Sequence, residues 1–207
     1  MAQGDMHVFG SAIALFLTGG IDANSDTLKA ALVSSSYTLD LAHDFFDDAS
    51  SAQLSGTGYT AGGATLASVT ATFTIANSWG TQRANSTAYA VGAIVRPATG
   101  NGYLYRCVVA GTSGGSLPSY STVMGATFSD GTVTWEVWGR GVVVLDCADP
   151  SWTSLDAGTP AYVIFYKDTG TASTSPLICA MENSVASNGG NYTITINANG
   201  LLMVAVQ

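Results

Sequence analysis

Basic residues are scarce. Lys29, Arg83, Arg96, Arg106, Arg140 and Lys167 are the full set, and no two are neighbours. Contact with a phosphate backbone or an anionic bilayer needs clustered Lys and Arg. A nucleic-acid partner and a membrane partner are therefore not expected. Glutamate is nearly missing: Glu136 and Glu182 both fall in strand-like stretches, which argues against a glycosidase carboxylate pair flanked by aromatics. His7 and His43 are the only histidines, and neither sits in H-E-x-x-H. Cys107, Cys147 and Cys179 are three, with no C-x-x-C. That count does not indicate a disulfide framework. Three buried thiols are expected, with one disulfide and a spare thiol left open. A membrane-length apolar run is also missing. The most apolar early stretch, His7 to Gly20, is too short to span a bilayer. It lacks the basic start and small-residue cleavage site of a secretory signal.

Two motifs come close to chemistry and stop short. "GTSGG", Gly111 to Gly115, has the form of a nucleophile elbow. The following "SLPSYS" has a proline and no helical period, so the strand-turn-helix context is missing. "LSGTGYTAGGATL", Leu54 to Leu66, is glycine-rich but has no lysine and no basic residue at all. A phosphate loop needs that lysine. The glycines instead suit a sharp corner between strands. Asp40, Asp44, Asp47 and Asp48 surround Phe45 and Phe46, with spacing unlike a calcium loop. A solvated loop is the favoured reading over a cation site. No catalytic residue, cofactor or metal follows from these motifs, and the chain reads as a non-enzyme.

What is present is a chain of 207 residues, 47% hydrophobic and only 10% charged, with net charge -8. A Ser, Thr, Gly and Asn surface of this kind suits β-rich extracellular or virion proteins. It leaves broad near-neutral area for subunit contacts, where charge would be costly to desolvate.

The periodicity points to a mainly β fold, a sandwich or barrel-like body with a short N-terminal helix. Val8, Ala12, Leu15 and Phe16 share a helical face, and Gly19-Gly20 is a natural stop. "TLKAALV" is strand-length. Leu66, Val69, Ala71, Phe73 and Ile75 alternate imperfectly with Thr and Ser, as in a strand with one polar face. "AYVIFYKDTG" and "SPLICAMENS" are continuous apolar runs of the doubly covered kind. Tyr192, Ile194 and Ile196, then Asn199-Gly200, then Leu201 to Val206, read as a closing hairpin.

The register changes between about residue 80 and residue 140. All four arginines and three of the four tryptophans lie there. "AVGAIVRP", "YLYRCVVAG" and "TVTWEVWG", with turns at "ATGNGY" and "SDG", give a small three-stranded β module. The expected division is a discontinuous body, 1-80 with 140-207, and an insert, 81-139. Within the insert, Tyr89, Tyr103, Tyr105, Trp135 and Trp138 are candidate carbohydrate-stacking residues, with Arg106 or Glu136 to bond hydroxyls. A module this small also needs most of its aromatics for its own core.

Two resemblances rest on these stretches. "DTLKAALVSSSYTLDLAHDFFDD", "GTGYTAGG", "AYVIFYKDTG", "SPLICAMENS" and the C-terminal "ITINANGL" together resemble a family of tailed-bacteriophage virion proteins. The likeness covers roughly residues 10 to 76 and 142 to 206. It implies a structural or minor capsid protein that decorates or cements the capsid. Its partners would be the major capsid protein and its own copies, a trimer by analogy with other decoration proteins. Assembly would take place in the host bacterial cytoplasm, with the insert facing outward from the virion. Ala2 to Phe9 would be a candidate anchor on neighbouring subunits. The insert, through "GYLYRCVVAGTSG" and "SDGTVTWEVWG", resembles modules of phage tail and fibre proteins and, more faintly, chitin-binding modules. That likeness implies host glycan as a ligand.

Overall fold

The computed structural model describes residues 4–197 and 199–206. Strand takes 37% of the chain and helix 8%, so the protein is mainly β with a short N-terminal helix. The chain divides into two compact units, Met1–Ala71 with Leu145–Leu202, and Thr72–Val144 with Met203–Gln207.

Unit 1 is built on five antiparallel strands. In spatial order they are β1 (Met6–Val8), β15 (Leu177–Glu182), β14 (Tyr162–Lys167), β2 (Leu28–Val33) and β3 (Ala64–Thr65). The apolar runs of β2, β14 and β15 are covered on both faces, as continuous runs require. Leu28, Leu32, Val163, Phe165 and Met181 pack one way, with Ile21, Leu54, Trp152, Leu155 and Ile194. Ala31, Val33, Ile164, Tyr166 and Ala180 pack the other way, with Phe9, Tyr37, Phe46 and Ala49. A register shift after Phe165 breaks the alternation of β15. Ile178 and Cys179 thereby join the first layer while Leu177 joins the second. The first layer also holds the short pair β13 (Ser151–Trp152) and β16 (Tyr192–Thr193).

Helix α1 spans Ala12–Thr18 and ends at Gly19, whose φ of 78° is the left-handed stop anticipated from Gly19-Gly20. Ala12, Leu15 and Phe16 turn to the core. Val8 does not share that face. It lies in β1, opposite Cys179. Three residues are too few for a period-2 signal beside a stronger helical one. Of the segment Ala2 to Phe9, Ala2 and Gln3 lie outside the described residues, while Met6–Val8 and the buried Phe9 are tied into unit 1.

The glycine-rich stretch is a corner held from within. Gly62 and Gly63 have φ of 87° and 74°, and a side chain on Gly63 would run into the Ala30 carbonyl oxygen. The Tyr59 hydroxyl accepts the Leu32 N–H at 3.0 Å, and Gln53 Oε1 accepts the Gly62 N–H at 2.6 Å. The Tyr166 hydroxyl donates to the Gly62 carbonyl at 2.8 Å. The acidic stretch nearby folds as the short helix α2 (Asp47–Ser50), which lets Phe46 stack on Tyr166 with centroids 3.9 Å apart.

Unit 2 carries more strands than the three its sequence announces. Its main sheet runs β10 (Thr127–Asp130), β11 (Val133–Gly139), β8 (Leu104–Val109), β7 (Ile94–Arg96), β5 (Thr81–Gln82). β7, β8 and β11 are the expected strands. β5 is two residues long and β10 four, too short to announce themselves by alternation. A second pair joins β6 (Ala88–Tyr89) to β9 (Gly111–Thr112). A third sheet holds β17 (Leu202–Val206), β12 (Gly141–Asp146) and β4 (Thr70–Ile75).

The third sheet overturns two readings. Of the expected strand from Leu66 to Ile75 only Thr70–Ile75 forms, because β3 ends at Thr65 and Ser68 turns the chain at a φ of 52°. The closing hairpin is also absent as such. β16 pairs with β13, while β17 enters the sheet of β12 and β4. The turn at Asn199-Gly200 therefore separates strands that belong to different sheets. Period-2 alternation identifies a strand and not its neighbour.

A buried ion pair braces unit 2. Arg83 and Asp130 are 3% and 4% exposed. Arg83 Nη2 donates to Asp130 Oδ1 at 2.6 Å, and Nε donates to Oδ2 at 2.9 Å. The guanidinium also serves the Gly114 and Ser116 carbonyls and Asn85 Oδ1. Asp130 further accepts from Trp135 Nε1 and the Gly114 N–H. Burial pushes the Asp130 carboxyl up, and the donors Arg83, Trp135 and Gly114 more than reverse it.

Candidate functional site

The five proposed stacking residues part company in the fold. Trp135 and Tyr105 are fully buried, at 0% exposure each. Trp135 packs edge-on against Tyr89, and its indole N–H is spent on Asp130. Tyr105 packs against Tyr120 and Phe128, and its hydroxyl donates to the Ser121 carbonyl. Neither ring presents a face to a ligand. Tyr89 is half-buried, and its hydroxyl accepts the Ala84 N–H. Tyr103 and Trp138 are half-buried like Tyr89, Tyr103 against the aromatic core and Trp138 against the core of Leu104 and Val142. Arg140 lies over the Tyr103 ring at 4.9 Å from its centroid and donates to its hydroxyl at 2.6 Å. Arg106 and Glu136 pair with each other at 2.7 Å across β8 and β11.

The elbow-like serine is a structural pin. Ser113 is 4% exposed, and its hydroxyl donates to the Ala84 carbonyl while accepting the Thr87 N–H. No helix follows it. His43 Nδ1 bonds the Tyr37 hydroxyl at 3.0 Å and His7 Nε2 meets Glu182 Oε1 at 3.1 Å. Both histidines belong to unit 1, and Ser113 belongs to unit 2. Asp40 and Asp48 accept local backbone N–H groups. Among the described residues no three His, Cys, Asp or Glu side chains gather as a metal-ligating group. The three thiols are buried and unpaired. Burial pushes the Cys147 thiol up to about 12, so its nucleophilic thiolate is suppressed at neutral pH. A shallow depression of about 480 Å³ in unit 1 is lined by Gly4, Ala161, Tyr162, Glu182, Asn183, Ser184 and Val185.

The feature sequence reasoning missed is in the third sheet of unit 2. Alternate residues divide by face in β12 and β17, while β4 is open on both faces except at Thr74. Val142, Val144 and Met203 pack inward with Leu104, Trp79 and Trp138. Phe73, Ile75, Val143, Val204 and Val206 stay exposed, by 55%, 54%, 37%, 37% and 37%. Gly141 supplies the space for Phe73, since a side chain there would lie 2.7 Å from the Phe73 ring. Residues 72–75, 141–144 and 203–206 contain no charged side chain. The threonines Thr70 and Thr72 do face solvent as expected, but Phe73 and Ile75 are exposed as well and not covered. Alternation separates two faces and does not say which one is covered. The missed signal was the lack of any charge in "TATFTIA", "GVVVL" and "LLMVAV". A solvent-facing sheet normally carries charge on its edges.

Exposed apolar side chains gathered on one face are the kind of surface that marks contact sites. Chemically it can bury against another apolar surface, and it offers nothing to an ion or a reacting group. Comparison of the chain with protein-family models, with curated proteins and with solved structures finds no match.

Proposed function

We propose that this chain is a non-enzymatic bacteriophage virion structural protein that decorates or cements the capsid by bridging shell subunits. The observation that carries the reading is the uncharged apolar face of β4, β12 and β17, left open on a chain with few charges elsewhere. A protein that works by contact needs such a surface, whereas a soluble enzyme gains nothing from it. The local sequence resemblance to tailed-phage virion proteins supplies the setting, with the major capsid protein and further copies of this chain as partners. The insert, residues 81-139, would be the part turned to solvent on the capsid surface.

A second reading has its own observation. Tyr103 and Trp138 are only half-buried in unit 2, with Arg140 beside Tyr103. A tail or fibre component could use them to stack on host-surface carbohydrate. Copy number in purified virions, relative to the major shell protein, separates the two. A ratio near one, or a simple lattice fraction of it, supports the cement. A handful of copies moves the protein to the tail. Absence from the particle sinks both.

A further inference from the structure

We infer that the open face of β4, β12 and β17 docks a second copy of this chain, the two faces packing as an intersubunit sandwich across a two-fold axis. The inference rests on the homo-oligomer part of the reading above and on nothing in the virion assignment.

Phe73, Ile75, Val143, Val204 and Val206 all project from one side of the sheet and are left in water. On β12 and β17 the opposite side is already occupied by the core around Val142 and Leu104, while Thr72 of β4 stays exposed. A sheet with one face packed inward and an apolar outer face is half of a sandwich, whose second sheet normally lies about 10 Å away. No described segment of unit 2 supplies that second sheet.

Charge selects the occupant. The chain carries a net charge of -8, so two copies repel each other over most approaches. Residues 72–75, 141–144 and 203–206 bear no ionised group, and the one carboxylate of these strands, Asp146, lies at the far end of β12. Two copies meeting over the uncharged residues desolvate no charge there. A two-fold contact must also be complementary to itself. A surface of valine, isoleucine and phenylalanine meets that condition with any copy of itself, whereas a polar patch would need each donor placed opposite an acceptor. Nucleic acid or anionic lipid would call for bases, and Arg140 alone borders the face, engaged with Tyr103.

Light scattering on the size-fractionated full chain, over a concentration series, tests this. The wild-type chain should show the mass of a dimer. Phe73→Asp and Val204→Asp should each give the monomer mass with an unchanged far-ultraviolet circular dichroism spectrum. Leu117→Asp should keep the dimer, since Leu117 is equally exposed, at 55%, but lies off this sheet. Monomeric wild-type protein throughout the series overturns the inference. So does a dimer that survives both aspartates, or one lost equally on Leu117→Asp. Val143→Cys gives a readout free of added charge. The native thiols are buried, so a bulky maleimide should label Cys at this position slowly in the dimer and rapidly on dilution. Equal labelling at both concentrations overturns the inference. A chain that dimerises through this face yet is absent from particles would sink the virion assignment alone.

Discussion

The two units place their large apolar side chains differently. Among those exposed in the described residues, Leu17 and Leu41 belong to unit 1, and the other nine, from Phe73 to Val206, belong to unit 2. Unit 1 wraps a central sheet on both faces, so every apolar residue of β14 and β15 finds a layer to enter. Unit 2 divides its strands among three small sheets, and a small core closes on few side chains. It substitutes an internal polar brace for missing apolar depth. The contrast separates a part stabilised by burial from a part that keeps apolar surface available.

Breaking the brace should produce the largest difference. Arg83→Met leaves Asp130 buried without its cation, a loss of about 3–5 kcal/mol. Three of the four tryptophans lie in unit 2, so thermal unfolding followed by tryptophan fluorescence should move to lower temperature. Pairing it with Asp130→Leu should recover part of the loss. The counterpart in unit 1 is Phe165→Ala, which removes a ring buried at 0% exposure and should cost about 3–5 kcal/mol. Its effect should appear in circular dichroism before it appears in the fluorescence of Trp79, Trp135 and Trp138. Gly63→Ala should cost more than about 1 kcal/mol, from a left-handed φ and a collision with the Ala30 carbonyl.

Acid sharpens the comparison further. Asp130 in unit 2 and Asp168 in unit 1 both titrate below the ordinary carboxylate value. For Asp168 the hydrogen bond from Lys29 is the main cause. A carboxylate depressed in the folded state stabilises above its unfolded value, about pH 4, and that contribution disappears as pH falls through the folded value. Stability should therefore fall below pH 4 in both units. The fall should be steeper in unit 2, because Asp130 is buried whereas the Asp168 side chain is 23% exposed. Melting temperature against pH checks this, and Asp130→Asn should flatten the unit 2 profile. The smallest effect belongs to Val123→Ser. That side chain is 67% exposed, and its loss should change stability by no more than about 0.5 kcal/mol.

The parts of the fold legible in sequence were those with strong local patterns. The runs Tyr162–Lys167 and Leu177–Glu182, the stop at Gly19, the alternation of Val133, Trp135 and Val137, and the corner at Gly62-Gly63 each carry their own signal. Pairing did not. Tyr192 to Val206 had every local mark of a hairpin, and only long-range partners sent its arms to different sheets. The candidate surface was hidden for a related reason. Phe73 and Ile75 look like core residues until a second layer is sought and not found. Trp135 and Tyr105 invited a ligand reading because an aromatic ring in a small module looks the same whether it is buried or open.

The third sheet gathers its strands from three distant points of the chain, with β12 and β17 separated by residues 147–201. It can close only after that intervening stretch has been synthesised. Long-range closure of this kind slows folding, because chain entropy is lost before the contacts that repay it exist. β4 and β12 must wait on the ribosome with apolar flanks uncovered, so the same sheet that suits assembly is also where a nascent chain would need a chaperone most.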